Sequence, residues 1–137
     1  MTLEDKMRTR SPWIMHFDTG SCNGCDLEVW ALLTPRYDVE RFGAVNKANP
    51  KQADILLITG PVTKNMELAL RKTYDAVPSP KIVIACGSCA ISGGPFAGHP
   101  QVCGGADPVV PVNLYIPGCP PHPLTILDGL LRLLGRI

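Results

Sequence analysis

The stretch ILLITGP, residues 55–61, is the strongest indication of the fold class in this sequence. A continuous apolar run closed by Gly-Pro is typical of a strand that is buried on both faces of a parallel sheet. KIVIA at residues 81–85 repeats this pattern, and WIMHF at 13–17 and LYI at 114–116 predict two more strands. Residues 37–42 alternate apolar and polar side chains, which predicts an edge strand.

Helices are predicted between these strands. Residues 26–33 form an apolar segment that ends before Pro35, residues 63–74 are amphipathic with Thr63 as the cap, and residues 124–134 are amphipathic. Alternating strands and helices indicate an open α/β fold, in which ligands bind beyond the carboxyl ends of the strands. We expect a polar N-terminal arm over residues 1–11 and a single domain over residues 12–137.

The composition excludes several function classes. Thirteen basic residues face twelve acidic ones, a net charge of +1, so we expect no nucleic-acid partner. There is no signal peptide and no run of about 18 apolar residues, so we expect a cytosolic chain with reduced thiols and no transmembrane segment. Only 18% of the residues are charged, which predicts that part of the surface meets a partner.

The six cysteines are the most informative residues. Five of them follow predicted strands and are therefore expected at one edge of the sheet: Cys22, Cys25, Cys86, Cys89 and Cys119. The sixth, Cys103, lies in a long Gly/Pro-rich loop. Converging thiolates can hold an iron–sulfur cluster or a zinc ion, and Cys22 and Cys25 alone could form a redox dithiol.

Other residues have simpler interpretations. Cys86 and Cys103 are most readily interpreted as small, buried hydrophobic residues. His16 is expected to pack within the first strand, and His99 is expected at the surface. His122 follows GCPP, where a hydrogen bond to a sulfur is the minor interpretation.

Three motifs occur in a specific order: SCNGCD at residues 21–26, GSCA at 87–90 followed by SGG at 92–94, and VNLYIPGCPP at 112–121. Together they resemble the small electron-transfer subunit of energy-converting, membrane-associated [NiFe] hydrogenases. That subunit is homologous to the cluster-carrying 20 kDa-type subunit of NADH:quinone oxidoreductase. The resemblance covers roughly residues 12–134, and the GSCA and GCPP blocks together are highly specific.

The resemblance implies a flavodoxin-like open parallel sheet with helices on both faces and one [4Fe–4S] cluster in the loops at the strand carboxyl ends. Its implied ligands are Cys22, Cys25, Cys89 and Cys119. Candidate backbone N–H donors to the cluster are those of Gly20, Gly24, Gly87, Ser88 and Gly118.

The resemblance also implies a role and partners. The chain would be an oxidoreductase subunit without a complete active site of its own. It would relay electrons between a large [NiFe] catalytic subunit and the clusters of a ferredoxin-like polyferredoxin subunit. Membrane subunits of the same complex would hold it peripherally at the cytoplasmic side of the membrane.

The sequence departs from two related groups. Quinone-reducing relatives usually have adjacent cysteines at the first pair, whereas C-x-x-C here favours the hydrogenase branch. Ser21 stands where uptake hydrogenases often carry a glutamate of a proton route, and Glu28 is more readily a surface or interface residue than a substitute for that glutamate. Because the sequence stops at Ile137, we expect it to carry one cluster only. Two alternatives stay open: a relay in a quinone- or sulfur-reducing complex, and a zinc-stapled interaction domain.

Overall fold

The computed structural model describes residues 10–78 and 81–133. Within them lies one sheet of five parallel strands, in the order β2-β1-β3-β4-β5. The strands are β1 (Trp13–Asp18), β2 (Val45–Asn46), β3 (Ile55–Thr59), β4 (Ile82–Cys86) and β5 (Leu114–Ile116). This is the strand order of flavodoxin-like folds, so the predicted fold class is confirmed. Most of the predicted arm, residues 1–9, lies outside the described residues.

Among the described residues, three α-helices lie between strands and a fourth follows the last strand. They are α1 (Gly24–Ala31), α2 (Lys64–Ala76), α3 (Ser88–Ser92) and α4 (Pro123–Leu133), and 3-10 turns occupy Val39–Phe42, Pro50–Gln52 and Gly94–Phe96. The three predicted helices are confirmed, with α1 beginning two residues earlier than expected. Thr63 occupies the N-cap position of α2, although its hydroxyl makes no capping hydrogen bond. The sequence did not predict α3, because five residues are too few to display a helical period.

The core has two halves, one on each face of the sheet. Alternate residues of the central strands face α1 and α4, where Leu57 and Ile84 pack with Val29, Ile126 and Leu130. The intervening residues face α2, α3 and the loop that follows α3. All five residues of β3 are buried, as expected for a central strand that is covered on both sides.

One predicted element is wrong. The expected edge strand at residues 37–42 is a 3-10 turn, and the edge strand is the short β2 that follows it. Val39 is buried and Phe42 packs against the same core half, so their three-residue spacing suits a helical turn. A strand would place Val39 and Phe42 on opposite faces, whereas in the structure Val39 is buried and Phe42 is partly buried against the same core half.

The last residues of the central strands form one row across the sheet. Asp18 of β1 is in register with Thr59 of β3, which is in register with Cys86 of β4, and Cys86 pairs in turn with Ile116 of β5. All four side chains face α1 and α4, by the alternation that also places Cys86 and Ile116 in that core half. The first turn of α1 packs against this row.

Candidate metal centre

Loops from three strands bring four cysteines together at the carboxyl edge of the sheet. They surround a cleft of about 390 Å³, part of it open to solvent, whose lining includes Ser21, Cys22, Gly24, Cys25, Gly60, Ser88, Cys89, Gly118, Cys119 and Pro120. The four cysteines predicted as ligands from the resemblance are therefore all in the wall of one cleft. Cys86 and Cys103 are not in that wall.

The four thiols differ in burial but influence one another. Cys25 and Cys89 are buried, whereas Cys22 and Cys119 are exposed. Burial raises the pKa of Cys89, and the charges of Cys119, Cys25 and Cys22 raise it further. Because negative charge on the neighbouring sulfurs opposes the ionisation of Cys89, bound positive charge would favour its thiolate form.

The shape of the cleft also fits a bulky group. A Cβ on Gly87 would stand 2.5 Å from the Cys25 Sγ, and the backbone there has a φ of +91°. A side chain at residue 87 would therefore displace the sulfur as well as strain the backbone. Four thiols around a cleft with small residues in its wall are chemically compatible with an iron–sulfur cluster.

Polar side chains shape the C-x-x-C turn. The Asp18 Oδ1 accepts hydrogen bonds from the N–H groups of Gly20 (2.9 Å) and Ser21 (2.7 Å), and the Ser21 Oγ accepts one from the Asn23 N–H (3.0 Å). Asn23 then adopts a left-handed conformation and starts α1. These hydrogen bonds stabilise the backbone turn that carries the first two thiols.

The predicted backbone donors divide into two groups. The Gly20 N–H is bonded to Asp18, the Gly87 N–H to the Ile116 carbonyl (2.8 Å) and the Ser88 N–H to the Gly118 carbonyl (2.9 Å). These three N–H groups already donate to acceptors within the protein, so we no longer regard them as candidate donors to a cluster. The N–H groups of Gly24 and Gly118 remain candidates, the former in the first turn of α1, where the helix dipole also favours negative charge.

A buried polar network lies directly behind Cys25, and the sequence did not predict it. Asp26, 4% exposed, accepts a hydrogen bond from the Thr59 hydroxyl (2.6 Å), and its Oδ1 lies 2.8 Å from the His16 Nε2. Asp18 shares a further hydrogen bond with Asp26. His16 is thus packed in β1 as predicted, but against a carboxylate rather than against apolar side chains.

The two carboxyl groups of this network have opposite pKa shifts. Burial raises the pKa of Asp26, and its hydrogen bond and charge contact with Asp18 raise it further. Burial also acts to raise the pKa of Asp18, but the hydrogen bonds from Ser21, Asp26 and Gly20 outweigh it and the pKa lies below its usual value. Of the two carboxyl groups, Asp26 therefore keeps its proton to higher pH than Asp18. The position of Asp26 directly after a candidate ligand was the one indication of this network in the sequence. Only the fold shows which residues Asp26 contacts.

Cys86 contacts a candidate ligand. It is 0% exposed at the end of β4, and its thiol is hydrogen-bonded to Cys25. That hydrogen bond is the main reason that the pKa of Cys25 is lowered, and it raises the pKa of Cys86 together with burial. The prediction that Cys86 is buried is confirmed, but Cys86 also has a polar contact that a simple hydrophobe lacks.

The remaining singled-out residues lie away from the cleft wall. The Cys103 Sγ is 3.6 Å from the Glu67 Oε2, and Glu67 also pairs with Arg71 (3.0 Å). His99 is exposed, as predicted. The His122 Nδ1 accepts a hydrogen bond from the Leu124 N–H (3.1 Å), and its ring packs edge-on against Tyr37, so the ring caps α4.

Two features are absent from the described residues. In residues 10–78 and 81–133, no group of three or more His, Cys, Asp or Glu side chains is arranged to hold a metal ion. None of the helices in that part of the chain is both long and apolar enough to cross a bilayer.

Comparison with known proteins identifies the family. Residues 22–133 match the family described as NADH ubiquinone oxidoreductase, 20 Kd subunit. The chain belongs to this family. It is 48% identical over 128 residues to the probable membrane-bound hydrogenase subunit mbhJ of Pyrococcus furiosus, covering 93% of this chain and 77% of that protein. It is 46% identical over 128 residues to formate hydrogenlyase subunit 7 of Escherichia coli, covering 93% of this chain and half of that protein.

Solved structures support the same family. A chain of the membrane-bound sulfane sulfur reductase, an archaeal respiratory membrane complex, superposes with a TM-score of 0.85 at 39% identity, over 97% of this chain and 73% of that one. A chain of an NAD⁺-reducing [NiFe]-hydrogenase superposes with a TM-score of 0.71 at 24% identity, over 93% and 94% respectively, and shows the shared fold. The resemblance recognised in the sequence motifs is thus confirmed.

Proposed function

We propose that this chain carries one [4Fe–4S] cluster on Cys22, Cys25, Cys89 and Cys119 and relays electrons within a membrane-associated hydrogenase complex. The observation that carries the proposal is the meeting of four thiols, from loops after three different strands, in one cleft. When bound, such a cluster accepts and returns one electron at a time. The chain would thus be a subunit of an oxidoreductase, with the chemistry on hydrogen left to a partner.

The residues of this chain would hold the cluster and control its surroundings. Cys25 and Cys89 are buried and would hold its inner side, whereas the exposed Cys22 and Cys119 would hold its outer side. The first turn of α1 directs N–H groups and the positive end of its dipole toward the cleft, which favours the charge of the thiolates. A cleft that is open on one side leaves the cluster close to a docked partner.

The surface next to the cleft supports docking. Helix α1 begins at the cleft, and its outward face exposes Leu27 (60%) and Trp30 (57%). Leu124, at the start of the neighbouring α4, is also exposed. The proposed partners are a large [NiFe] catalytic subunit and a ferredoxin-like polyferredoxin subunit. Membrane subunits would keep the assembly at the cytoplasmic side of the membrane.

A second candidate function has a specific observation in its favour. The chain is 39% identical to part of the sulfane sulfur reductase, so the same relay could serve a complex that reduces sulfur instead of protons. The two candidates share the cluster and differ in the partner. Purification of the complex through this chain, followed by assays of H₂ evolution and of sulfane sulfur reduction, separates them. Nickel in the large subunit supports the hydrogenase.

The cluster itself is tested on the full chain. Anaerobic purification is expected to give a brown protein with about four iron and four sulfide per chain and a reduced-state EPR signal. A colourless protein that holds zinc and no sulfide would contradict the proposal and support a zinc-stapled domain. The matched control is Cys103→Ala, which should retain the full iron content.

A further inference from the structure

Thr59 connects the centre of the sheet with the helix that carries Cys25. It is the last residue of β3 and is 0% exposed. Its hydroxyl donates a hydrogen bond to the Asp26 Oδ1 (2.6 Å), and Asp26 lies in the first turn of α1, directly after Cys25. This contact therefore joins the end of a central strand to the start of the helix.

His16 contacts the same two side chains and completes a triangle of polar atoms. The His16 Nε2 lies 3.0 Å from the Thr59 Oγ1 and 2.8 Å from the Asp26 Oδ1. Since the Thr59 hydroxyl has one proton and donates it to Asp26, its oxygen can only accept from His16. The Nε2 therefore carries a proton, and the Asp26 oxygen faces donors from two neighbouring strands, β1 and β3.

The two thiols of the C-x-x-C motif are held in place by different contacts. Cys22 lies in the turn that Asp18 and Ser21 stabilise, and both of these residues are close to it in the chain. Cys25 lies within α1, a helix of only eight residues whose Val29 packs in the apolar core. Apolar packing is non-directional, whereas a hydrogen bond to a buried carboxyl group fixes both a distance and a direction. The contact between Thr59 and Asp26 is therefore suited to set the position of the first turn.

We propose that Thr59 is a positioning residue of the cluster, whose hydroxyl holds Asp26 and thereby keeps Cys25 in place at the wall of the cleft. The inference rests on the proposed function, because it requires Cys25 to be a ligand. Little space is free beside its sulfur, since a Cβ on Gly87 would stand 2.5 Å from the Sγ. Partners that orient a ligand strengthen metal binding without touching the metal. Loss of the hydroxyl should thus weaken retention of the cluster while all four thiols remain.

Three substitutions separate this role from a general effect on stability. Thr59→Val removes the hydroxyl and keeps a β-branched side chain that suits a strand, whereas Thr59→Ser keeps the hydroxyl. The matched control is Thr19→Val. Thr19 is also 0% exposed at this edge of the sheet, but its hydroxyl donates to the Thr59 carbonyl (2.7 Å) and accepts from the Val62 N–H (3.1 Å). It holds the turn between β3 and α2 and not the start of α1.

The experiment compares the anaerobically purified full chain with its three variants in two measurements. Hydrogen exchange by mass spectrometry reports on the start of α1, where the Leu27 N–H donates to the Asn23 carbonyl (3.0 Å). Loss of iron to an excess of EDTA reports on retention of the cluster. In Thr59→Val we expect faster exchange in α1 and iron loss that is at least about tenfold faster. Thr59→Ser and Thr19→Val should match the wild type in both measurements.

Several outcomes would overturn the inference. One is wild-type exchange and iron loss in Thr59→Val, and another is an equal effect in Thr59→Ser, because the hydroxyl would then be irrelevant. An equal effect in Thr19→Val also overturns it, since any lost buried hydroxyl would then act in the same way. A wild-type chain without iron and sulfide overturns the proposed function itself, whereas a wild-type cluster with an unaffected Thr59→Val overturns only the inference.

A second pair of variants tests the same contact from the helix side if Thr59→Val does not fold. Asp26→Asn keeps an acceptor oxygen for Thr59, whereas Asp26→Ala removes it. We expect wild-type exchange in α1 and wild-type iron loss in Asp26→Asn, and faster exchange and iron loss in Asp26→Ala. Equal behaviour of these two variants overturns the inference.

Discussion

Two regions beyond the carboxyl ends of the strands contain cysteines, and the side chains next to the cysteine sulfurs differ between them. In the cleft, Cys89 is buried and its nearest charged neighbours are three other thiols. In the loop over residues 93–113, Cys103 is half-buried and its neighbour is the carboxylate of Glu67, in an exposed pair with Arg71. The same residue type at the same end of the sheet thus serves as a candidate ligand only where thiols from several loops meet.

The largest difference between the two regions is expected in cluster binding. Cys25→Ala or Cys89→Ala should lose nearly all bound iron, because each removes one of four thiolates from the cleft. Cys103→Ala should retain the iron and lose about 1 kcal/mol of unfolding free energy from weaker packing. Iron analysis and urea unfolding measure the two effects. Equal iron in Cys89→Ala and Cys103→Ala would remove the distinction between the regions.

The next effect concerns glycine. Gly87→Ala should lower both iron content and stability, because the new Cβ meets the Cys25 sulfur at 2.5 Å and the backbone has a φ of +91°. Gly98, in the loop, is the matched control. Its φ is +85° but no atom lies within 4 Å of its Cβ position, so Gly98→Ala should cost only about 1–2 kcal/mol of backbone strain. Iron loss of the same size in Gly98→Ala would show that strain, not the sulfur contact, is responsible.

A smaller effect is expected in the pH dependence of stability. The pKa of Asp26 is raised in the folded chain, so its contribution to stability is present below its unfolded pKa, near 3.8, and is lost as pH rises through the folded pKa. Asp26→Asn replaces the protonated carboxyl with an amide, which can still accept from Thr59 and donate to Asp18. The variant should therefore lack this fall in unfolding free energy above pH 3.8.

Urea unfolding of the metal-free chain at several pH values between 4 and 7 measures this slope. Cys103→Ala serves as the control, because it should lower stability by a similar amount at every pH. A wild-type slope in Asp26→Asn would mean that the buried carboxyl pair does not hold its proton on Asp26.

The smallest effect is expected in the region around Cys103. Arg71→Ala removes an exposed pair with Glu67 one helical turn away, and such pairs contribute about 0.3–0.5 kcal/mol. Thermal or urea unfolding should detect little change, and iron content should stay the same. A loss of iron in Arg71→Ala would connect the Cys103 region to the cleft.

Much of the fold was predictable because its central strands are apolar on both faces. Residues 55–59 and 81–85 can be buried only under helices on both sides, and this dictated the parallel sheet. The error at residues 37–42 arose where the pattern was short and mixed. Apolar side chains at 37, 39 and 42 satisfy a strand period in part and a helical turn in part, and packing against the core decided for the turn.

Strand order in the sequence sent five of the six cysteines to one edge of the sheet, and the family resemblance of the motifs then selected the four that line the cleft. The sequence could not determine which thiols and carboxylates touch, because partners such as Asp18, Thr59 and Cys86 are far apart in the chain. Only the register of three strands aligns them in one row, and only the packing of α1 on that row brings Asp26 within hydrogen-bond distance of Thr59. Hydrogen bonds act over a few ångströms, so tertiary structure alone decides them.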